Sequence, residues 1–378
     1  MPKLPAERAA PTIAFEVSSL LVERPTGVAT YGAGLIRALR QLRPEQEYLQ
    51  VYRWARRRNR RYLPAPEAPS RGYLWPDWFW PLGLPRRTRL LHTLDTRIPA
   101  NYQGPLVATL FDVISALPQA NEGGWSSERF RRRKLDDYRR MALQASVVVT
   151  LSQETRSRFR DLFEPECPVE VIPPGIDEAF FQAAALRRRR RSEGGEGRPY
   201  LLFVGLLCAR KNLKQLVALY DTLQETHPRL MLRLAGPIDE DDPEGTDWRG
   251  IGIQVMRYVS RERLLELYAG AEALVYLSHY EGFGLPVLEA MAVGVPVVAS
   301  NRGGIPEAAG DAALLVDPDR LPMAVEATKR ILDDPDFAAS LAARGIERAQ
   351  RFTWRAAAER VASIHGDVLD RHGFRERR

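Results

Sequence analysis

Short apolar runs alternate with amphipathic helices twice along this chain, and that alternation constrains its fold more than any other feature. In the first half, "TIAFEV", "EYLQVYRW", "RLLHTL", "PLVATLFDV", "SVVVTLS" and "PVEVIPPGID" read as strands. "GVATYGAGLIRALRQLRP" reads as a loop and a helix, with Leu35, Leu39 and Leu42 at helical spacing. Further helices are expected from about Ser127 to Ala145 and after Ser152, whose hydroxyl suits an N-cap. The second half restarts with "YLLFVG" and continues through "RLMLRLAG", "IQVMRYVS", "EALVYLS" and "VPVVAS". Helices such as "NLKQLVALYDTLQETH" and "RERLLELYAG" separate these runs. Continuous apolar strands between helices predict parallel sheets covered on both faces. At 378 residues, two such α/β units are a better expectation than one core. "LRRRRRSEGGEGRP", from Leu186 to Pro199, has the composition of a linker or loop. An N-terminal domain is therefore expected over 1–190 and a C-terminal domain over 191–354. A terminal helix, about 355–378, is placed to pack back on the first domain, with Trp354 as its candidate anchor.

Composition narrows the class further. With 45% hydrophobic and 27% charged residues the chain reads as soluble and globular. No run of about 18 apolar residues predicts a membrane-spanning helix. "MPKLPAERAAPTIAFEV" does not read as a secretory signal. Cys167 and Cys208 are isolated, which suits a reducing cytoplasm better than a disulfide framework or zinc site. Residues 1–191 carry 32 Lys and Arg against 20 Asp and Glu, and the remainder 23 against 28. The arginine clusters Arg56–Arg61, Arg131–Arg133 and Arg187–Arg191 allow a solvated surface, or attraction to an anionic membrane surface or phosphate-bearing acceptor. Nucleic acid is not expected as a partner, because no recognition motif accompanies the charge.

The stretch "HYEGFGLPVLEAMAVGVPVVASNRGG", His279 to Gly304, follows a strand. In an open α/β sheet, ligands bind beyond the carboxyl ends of the strands. Gly282 and Gly284 allow a sharp turn and close approach to a ligand. Pro286 fits the first position of the following helix. Free N–H groups at such a helix start suit a phosphate. Glu289 is expected in the first helical turn and Glu281 before the glycine turn. One carboxylate thus falls on each side of a bound diphosphate, and carboxylates accept from hydroxyls. A nucleotide sugar has hydroxyls on both sides of its diphosphate.

These residues carry a family resemblance. "EGFGLPVLE" with "AMAVGVPVVASNRGGIPE" resembles the donor-site signature of the retaining glycosyltransferases of family 4 (group 1). "FVGLLCARKNL", "VIPPGID" and "TGVATYGAGLIRAL" are similar to three further segments of that family. The resemblance implies the GT-B fold, two Rossmann-like domains facing across a cleft, with no metal and no cofactor beyond a nucleoside diphosphate sugar as co-substrate. It implies that Glu281 binds the transferred sugar and Glu289 the ribose. Phe283, Gly284 and Leu285, with Gly282, would hold the diphosphate and sugar through their backbone. Arg210 and Lys211 would neutralise the departing diphosphate, a role that fixed cations in a closed cleft suit on physical grounds alone. Gly27 would let the first-domain loop approach the same phosphates.

The chain departs from the family pattern at one position. Phe111 stands where a His usually precedes the Asp, and Asp112 is kept. Asp112 is then the leading ionisable candidate near the anomeric carbon, to orient the acceptor hydroxyl or take its proton, or else it caps the following turn. His92 is either acceptor-facing or a satisfied polar residue. Asp239 and Asp241 are read as an acidic loop, not a metal site. Trp75, Trp78, Phe79 and Trp80 are read either as packing or as an acceptor or membrane-interface surface. The expected activity is transfer of a hexose or deoxyhexose to a glycan or lipid-linked oligosaccharide, in the cytoplasm or at the inner membrane face. A transferase making a soluble glycoside and a catalytically weak sugar-nucleotide-binding scaffold are the alternatives.

Overall fold

The computed structural model describes residues 12–23, 26–63, 73–75, 88–98, 102–118, 120, 125, 127–192, 197–239 and 251–374. The first half forms β1 (Thr12–Glu16), β2 (Tyr48–Arg53), β3 (Tyr73–Trp75), β4 (Thr88–Thr93), β5 (Leu106–Leu110), β6 (Val147–Thr150) and β7 (Val169–Val171). The second half forms β8 (Tyr200–Val204), β9 (Met231–Ala235), β10 (Ile253–Met256), β11 (Ala273–Tyr276), β12 (Val297–Ser300) and β13 (Leu314–Val316). The strand orders are β3-β2-β1-β4-β5-β6-β7 and β10-β9-β8-β11-β12-β13. Neighbours pair in parallel, for example Leu91 beside Leu106 in the first sheet and Leu274 beside Leu202 in the second. Leu90, Leu91, Leu106, Val107, Leu201 and Leu202 are fully buried, as continuous apolar strands in a doubly covered sheet should be.

Each sheet reverses its winding at one place, between β1 and β4 in the first and between β8 and β11 in the second. Those switch points open crevices at the carboxyl ends of the strands. The segment from Gly205 to Lys211 follows β8, and the turn from Ser278 to Gly284 follows β11. Glu16 ends β1, Asp95 follows β4 and Asp112 follows β5. Strand order therefore places all the candidate site segments at crevice ends.

The arginine run of the stretch read as a linker is helical. The Glu178–Ser192 helix takes in Leu186–Ser192 and packs on the helices Arg261–Gly270 and Leu285–Val293 of the second unit. Arg187 is buried, and its guanidinium donates to the carbonyls of Ala269 and Ala271. It thereby satisfies the end of the Arg261–Gly270 helix. The first sheet ends at Val171 and the second begins at Tyr200, so a division at residue 190 falls inside this helix.

The chain then returns to its first half. The Trp354–Arg371 helix lies against the Gly27–Leu42 helix and β4. Trp354 begins it: the indole N–H donates to Asp177 Oδ1 at 2.9 Å, and its ring meets Tyr31 at 5.7 Å between centroids. A Cβ on Gly175 would lie 2.1 Å from the Trp354 nitrogen, so only glycine permits this approach. Further along, His365 Nε2 sits 3.0 Å from His92 Nδ1, whose other ring nitrogen meets Thr109 Oγ1 at 2.9 Å. Both rings are buried; burial holds His92 well below its ordinary pKa and His365 near about 3. His92 is therefore a satisfied core residue and does not face an acceptor. Of the aromatic segment, only the backbone of Trp75 falls among the described residues. Trp354→Ala should lower stability by about 3 kcal/mol, the range for deleting a large packed aromatic, read from urea unfolding.

Candidate active site

Two backbone segments meet at the second switch point. The His279 N–H donates to the Arg210 carbonyl at 3.0 Å, tying the segment after β8 to the turn after β11. Arg210 donates to the Tyr280 carbonyl at 2.6 Å and to Glu281 Oε1 at 2.9 Å. Lys211 Nζ bonds the same carboxylate oxygen and the Tyr276 hydroxyl, the latter at 2.7 Å. Burial alone would raise Glu281, but Arg210 and Lys211 outweigh it and hold the carboxyl near about 2. Burial lowers Lys211, opposed by Glu281. Two cations thus share one carboxylate. The stability this contributes is complete above the ordinary carboxylate range and is lost as pH falls from about 4.5 toward about 2.

The glycine turn is shaped by contact with the first domain. A Cβ on Gly282 would lie 2.0 Å from the Phe111 carbonyl oxygen and 3.1 Å from Asp112 Cβ. Gly284 has φ +105°, a conformation other residues rarely adopt, and caps the Leu285–Val293 helix. Leu285 is the first helical residue and Pro286 the second, one position later than expected from the sequence. Phe283 is buried against Phe352. Gly27 opens the Gly27–Leu42 helix, and a Cβ there would lie 4.0 Å from Leu285 Cδ1. Gly27 thus faces the Leu285–Val293 helix from the first half of the chain.

Glu289 lies just beyond the first helical turn, not within it. Leu285 and Pro286 both belong to the helix, which moves Glu289 along by one residue. The Tyr268 hydroxyl donates to Glu289 Oε2 at 2.8 Å. Burial pushes the Glu289 carboxyl up to about 7 against this hydrogen bond and the charge of Arg261. Asp112 takes the capping role: Oδ1 accepts from the Ile114 N–H at 3.0 Å. Burial raises its pKa and Arg210 opposes that rise. Asp112 borders the glycine turn at the same time, so capping and a place at the site coexist. Its ordinary turn-capping bond fixes where the carboxylate points.

Four contributors are not evident from the sequence. Tyr276 and Tyr268 look like core residues in apolar runs, yet their hydroxyls hold Lys211 and Glu289. Trp125 stacks on His279 at 6.0 Å and 14°, bridging the two halves. Lys134, in the arginine-rich Glu128–Gln144 helix, donates to Thr96 Oγ1 at 2.6 Å and to Asp95 Oδ1 at 3.4 Å, and its charge reaches Asp112. Asp239 follows β9 and Asp241 lies outside the described residues.

Two family models cover most of the chain. Residues 187–351 match the model described as glycosyl transferases group 1, and residues 25–180 match glycosyltransferase family 4. The GDP-mannose-dependent alpha-(1-6)-phosphatidylinositol monomannoside mannosyltransferase of Mycolicibacterium smegmatis is 32% identical over 267 residues, 66% of this chain and 69% of that protein. The chain belongs to the family 4, group 1 glycosyltransferases. O-antigen chain mannosyltransferase B of Escherichia coli is 41% identical over 228 residues, 56% of this chain. The match spans 58% of that enzyme's length, and 63% of the length of the similar glycogen synthase of Mycobacterium tuberculosis. Sucrose-phosphate synthase from Thermosynechococcus elongatus superposes with TM-score 0.71 at 22% identity, covering 95% of this chain and 99% of that one. Anabaena HepE in complex with UDP-glucose superposes with TM-score 0.68 at 18% identity, covering 94% and 99%. The fold of this family member is GT-B.

Glu289 makes a pH-dependent prediction. A carboxyl raised on folding binds protons more tightly in the native state, so it subtracts stability as pH rises from about 4.5 through about 7. Glu289→Gln should leave the melting temperature of the ligand-free protein unchanged below that window. Above it, the variant should be more stable by on the order of 1 kcal/mol, discounted for partial exposure. Calorimetric scans across pH check this.

Proposed function

We propose that this protein transfers a hexose or deoxyhexose, with retention, from a nucleoside diphosphate sugar to a glycan or lipid-linked oligosaccharide. The observation that carries this is the pairing of Arg210 and Lys211 with Glu281 beside a helix N-terminus. The cations meet the diphosphate, together with the N–H groups of the first turn from Leu285. Glu281 accepts from the sugar hydroxyls, and Glu289 with Tyr268 from the ribose side. Relatives support the donor class: HepE is described with UDP-glucose, and the M. smegmatis relative is named as GDP-mannose-dependent.

In the proposed reaction the bond between the anomeric carbon and the β-phosphate oxygen breaks. A bond from the acceptor oxygen forms on the same face. The acceptor hydroxyl proton passes to the departing phosphate. Arg210 and Lys211 stabilise the charge that grows on this leaving group, so the reaction as proposed requires no metal. Asp112 borders the sugar-binding turn from the first domain and orients the acceptor hydroxyl. The acceptor side continues through Asp95, Thr96 and Lys134, where carboxylate and ammonium stand together and suit hydroxyls that both donate and accept.

A specific surface supports a membrane-facing acceptor. The Glu128–Gln144 helix exposes Arg129, Arg133 and Arg140 together with Phe130 and Leu143, the latter 74% exposed. Basic and apolar groups on one exposed helix suit an anionic lipid surface. No helix among the described residues is long and apolar enough to cross a membrane.

Glu281→Gln and Lys211→Ala should each reduce transfer by roughly tenfold or more, about 1.4 kcal/mol of transition-state stabilisation. Release of nucleoside diphosphate from sugar nucleotides measures it, and near-wild-type rates in both variants would remove the site assignment. Co-sedimentation with phosphatidylglycerol vesicles should be lost at high salt and in an Arg129, Arg133 and Arg140 triple glutamate variant. Binding that survives both would place the acceptor elsewhere.

A further inference from the structure

We propose that Glu307 is a positioning residue that holds the cleft closed by capping a helix of the opposite domain. This rests on the donor-site reading above and adds the coupling between its two halves. Glu307 belongs to the second domain, in the short Ile305–Ala309 helix. Its carboxylate reaches the start of the Gln153–Phe163 helix in the first domain. Oε2 accepts from the Gln153 N–H and Oε1 from the Glu154 N–H, each at 2.7 Å. Those are the first two helical residues, whose N–H groups have no partner within their own helix. Ser152 already caps the third, accepting from Thr155 N at 3.0 Å. A carboxylate at this end is favoured by the helix dipole, and both bonds are charge-assisted.

The clamp is tied to the reacting region on both sides. The Gly304 N–H, three residues before Glu307, donates to the Glu281 carbonyl at 2.8 Å. Thr155, in the first turn of the capped helix, donates through Oγ1 to the Gly282 carbonyl at 3.4 Å. Gly282 is the residue pressed against Phe111 and Asp112. Arg348 donates to the carbonyls of Glu307 and Ala308, which fixes the backbone behind the clamp. The other charges at the joint are spoken for locally: the Glu154 side chain pairs with Arg158 at 2.9 Å. Opening the domains would break both Glu307 bonds and withdraw Asp112 from the sugar-binding turn. The nucleotide contacts of Arg210, Lys211 and Glu289 all lie on the second domain and would persist.

The test uses the full chain, with Glu307→Ala and with Gln153→Pro. Proline at the first helical position is tolerated there and deletes one N–H that Glu307 accepts from, leaving Glu307 itself intact. Small-angle scattering is recorded with and without saturating UDP or GDP. Nucleotide affinity is measured by calorimetry and turnover by nucleoside diphosphate release from sugar nucleotides. Both variants should scatter as more expanded particles than wild type. Turnover should fall about tenfold in Glu307→Ala and less in Gln153→Pro, with nucleotide affinity within about threefold of wild type. Unchanged scattering and turnover in both variants would overturn the proposal. Loss of nucleotide affinity with unchanged scattering would also overturn it, because Glu307 would then belong to donor binding. Wild type that binds neither nucleotide counts against the donor reading alone, since scattering of the ligand-free proteins still decides the clamp.

Discussion

The shared ion pair of Arg210, Lys211 and Glu281 is the interaction on which the rest of this structure depends. Taking such charges from water is unfavourable, and burial lowers the Lys211 ammonium against the pull of Glu281. Here each cation has the same carboxylate oxygen, and Lys211 has the Tyr276 hydroxyl besides. The group is therefore stable without ligand, yet it holds two positive charges against one negative. That surplus is what the proposed donor reading assigns to a diphosphate, with Glu281 as the counter-ion that gives way and the acceptor for the sugar. Glu289 contributes differently: burial pushes its carboxyl up to about 7, so it costs stability as pH rises from about 4.5 through about 7.

Everything else brings backbone segments to that group. The strand orders put both switch points at crevice ends, and the glycine turn closes the gap to the first domain. The returning Trp354–Arg371 helix ties the second domain back to the first through Asp177, Tyr31 and the His92–His365 pair. Glu307 adds a further link beside the glycine turn. An apolar core that runs on across both halves thus holds them together with these polar joints.

Much of this was legible in the sequence because the relevant signals are local. Apolar strand runs, the glycine turn and the placing of Glu281 and Glu289 on either side of it follow from neighbours in the chain, while Arg210 and Lys211 came from the family resemblance. The arginine run Arg187–Arg191 misled because composition reports solvation and not partners; the Arg187 guanidinium has found the free carbonyls at a helix end. Glu289 slipped out of the first turn because helix starts depend on backbone angles at Gly284, which composition does not reveal. His92 stood open between an acceptor-facing and a core role because its partner, His365, lies far away in the chain. Glu307 and Tyr268 were invisible for the same reason: their roles exist only once distant segments meet.

In the proposed donor site, Glu281 restrains the two cations that a diphosphate would meet. Calorimetric titration of the preferred nucleoside diphosphate, without sugar, into wild type and Glu281→Gln tests it most directly. Removing the counter-ion charge should free Arg210 and Lys211, so the variant should bind the nucleotide more tightly, by about tenfold or 1.4 kcal/mol. Equal or weaker binding in the variant would contradict the claim and leave the three residues as a structural ion pair.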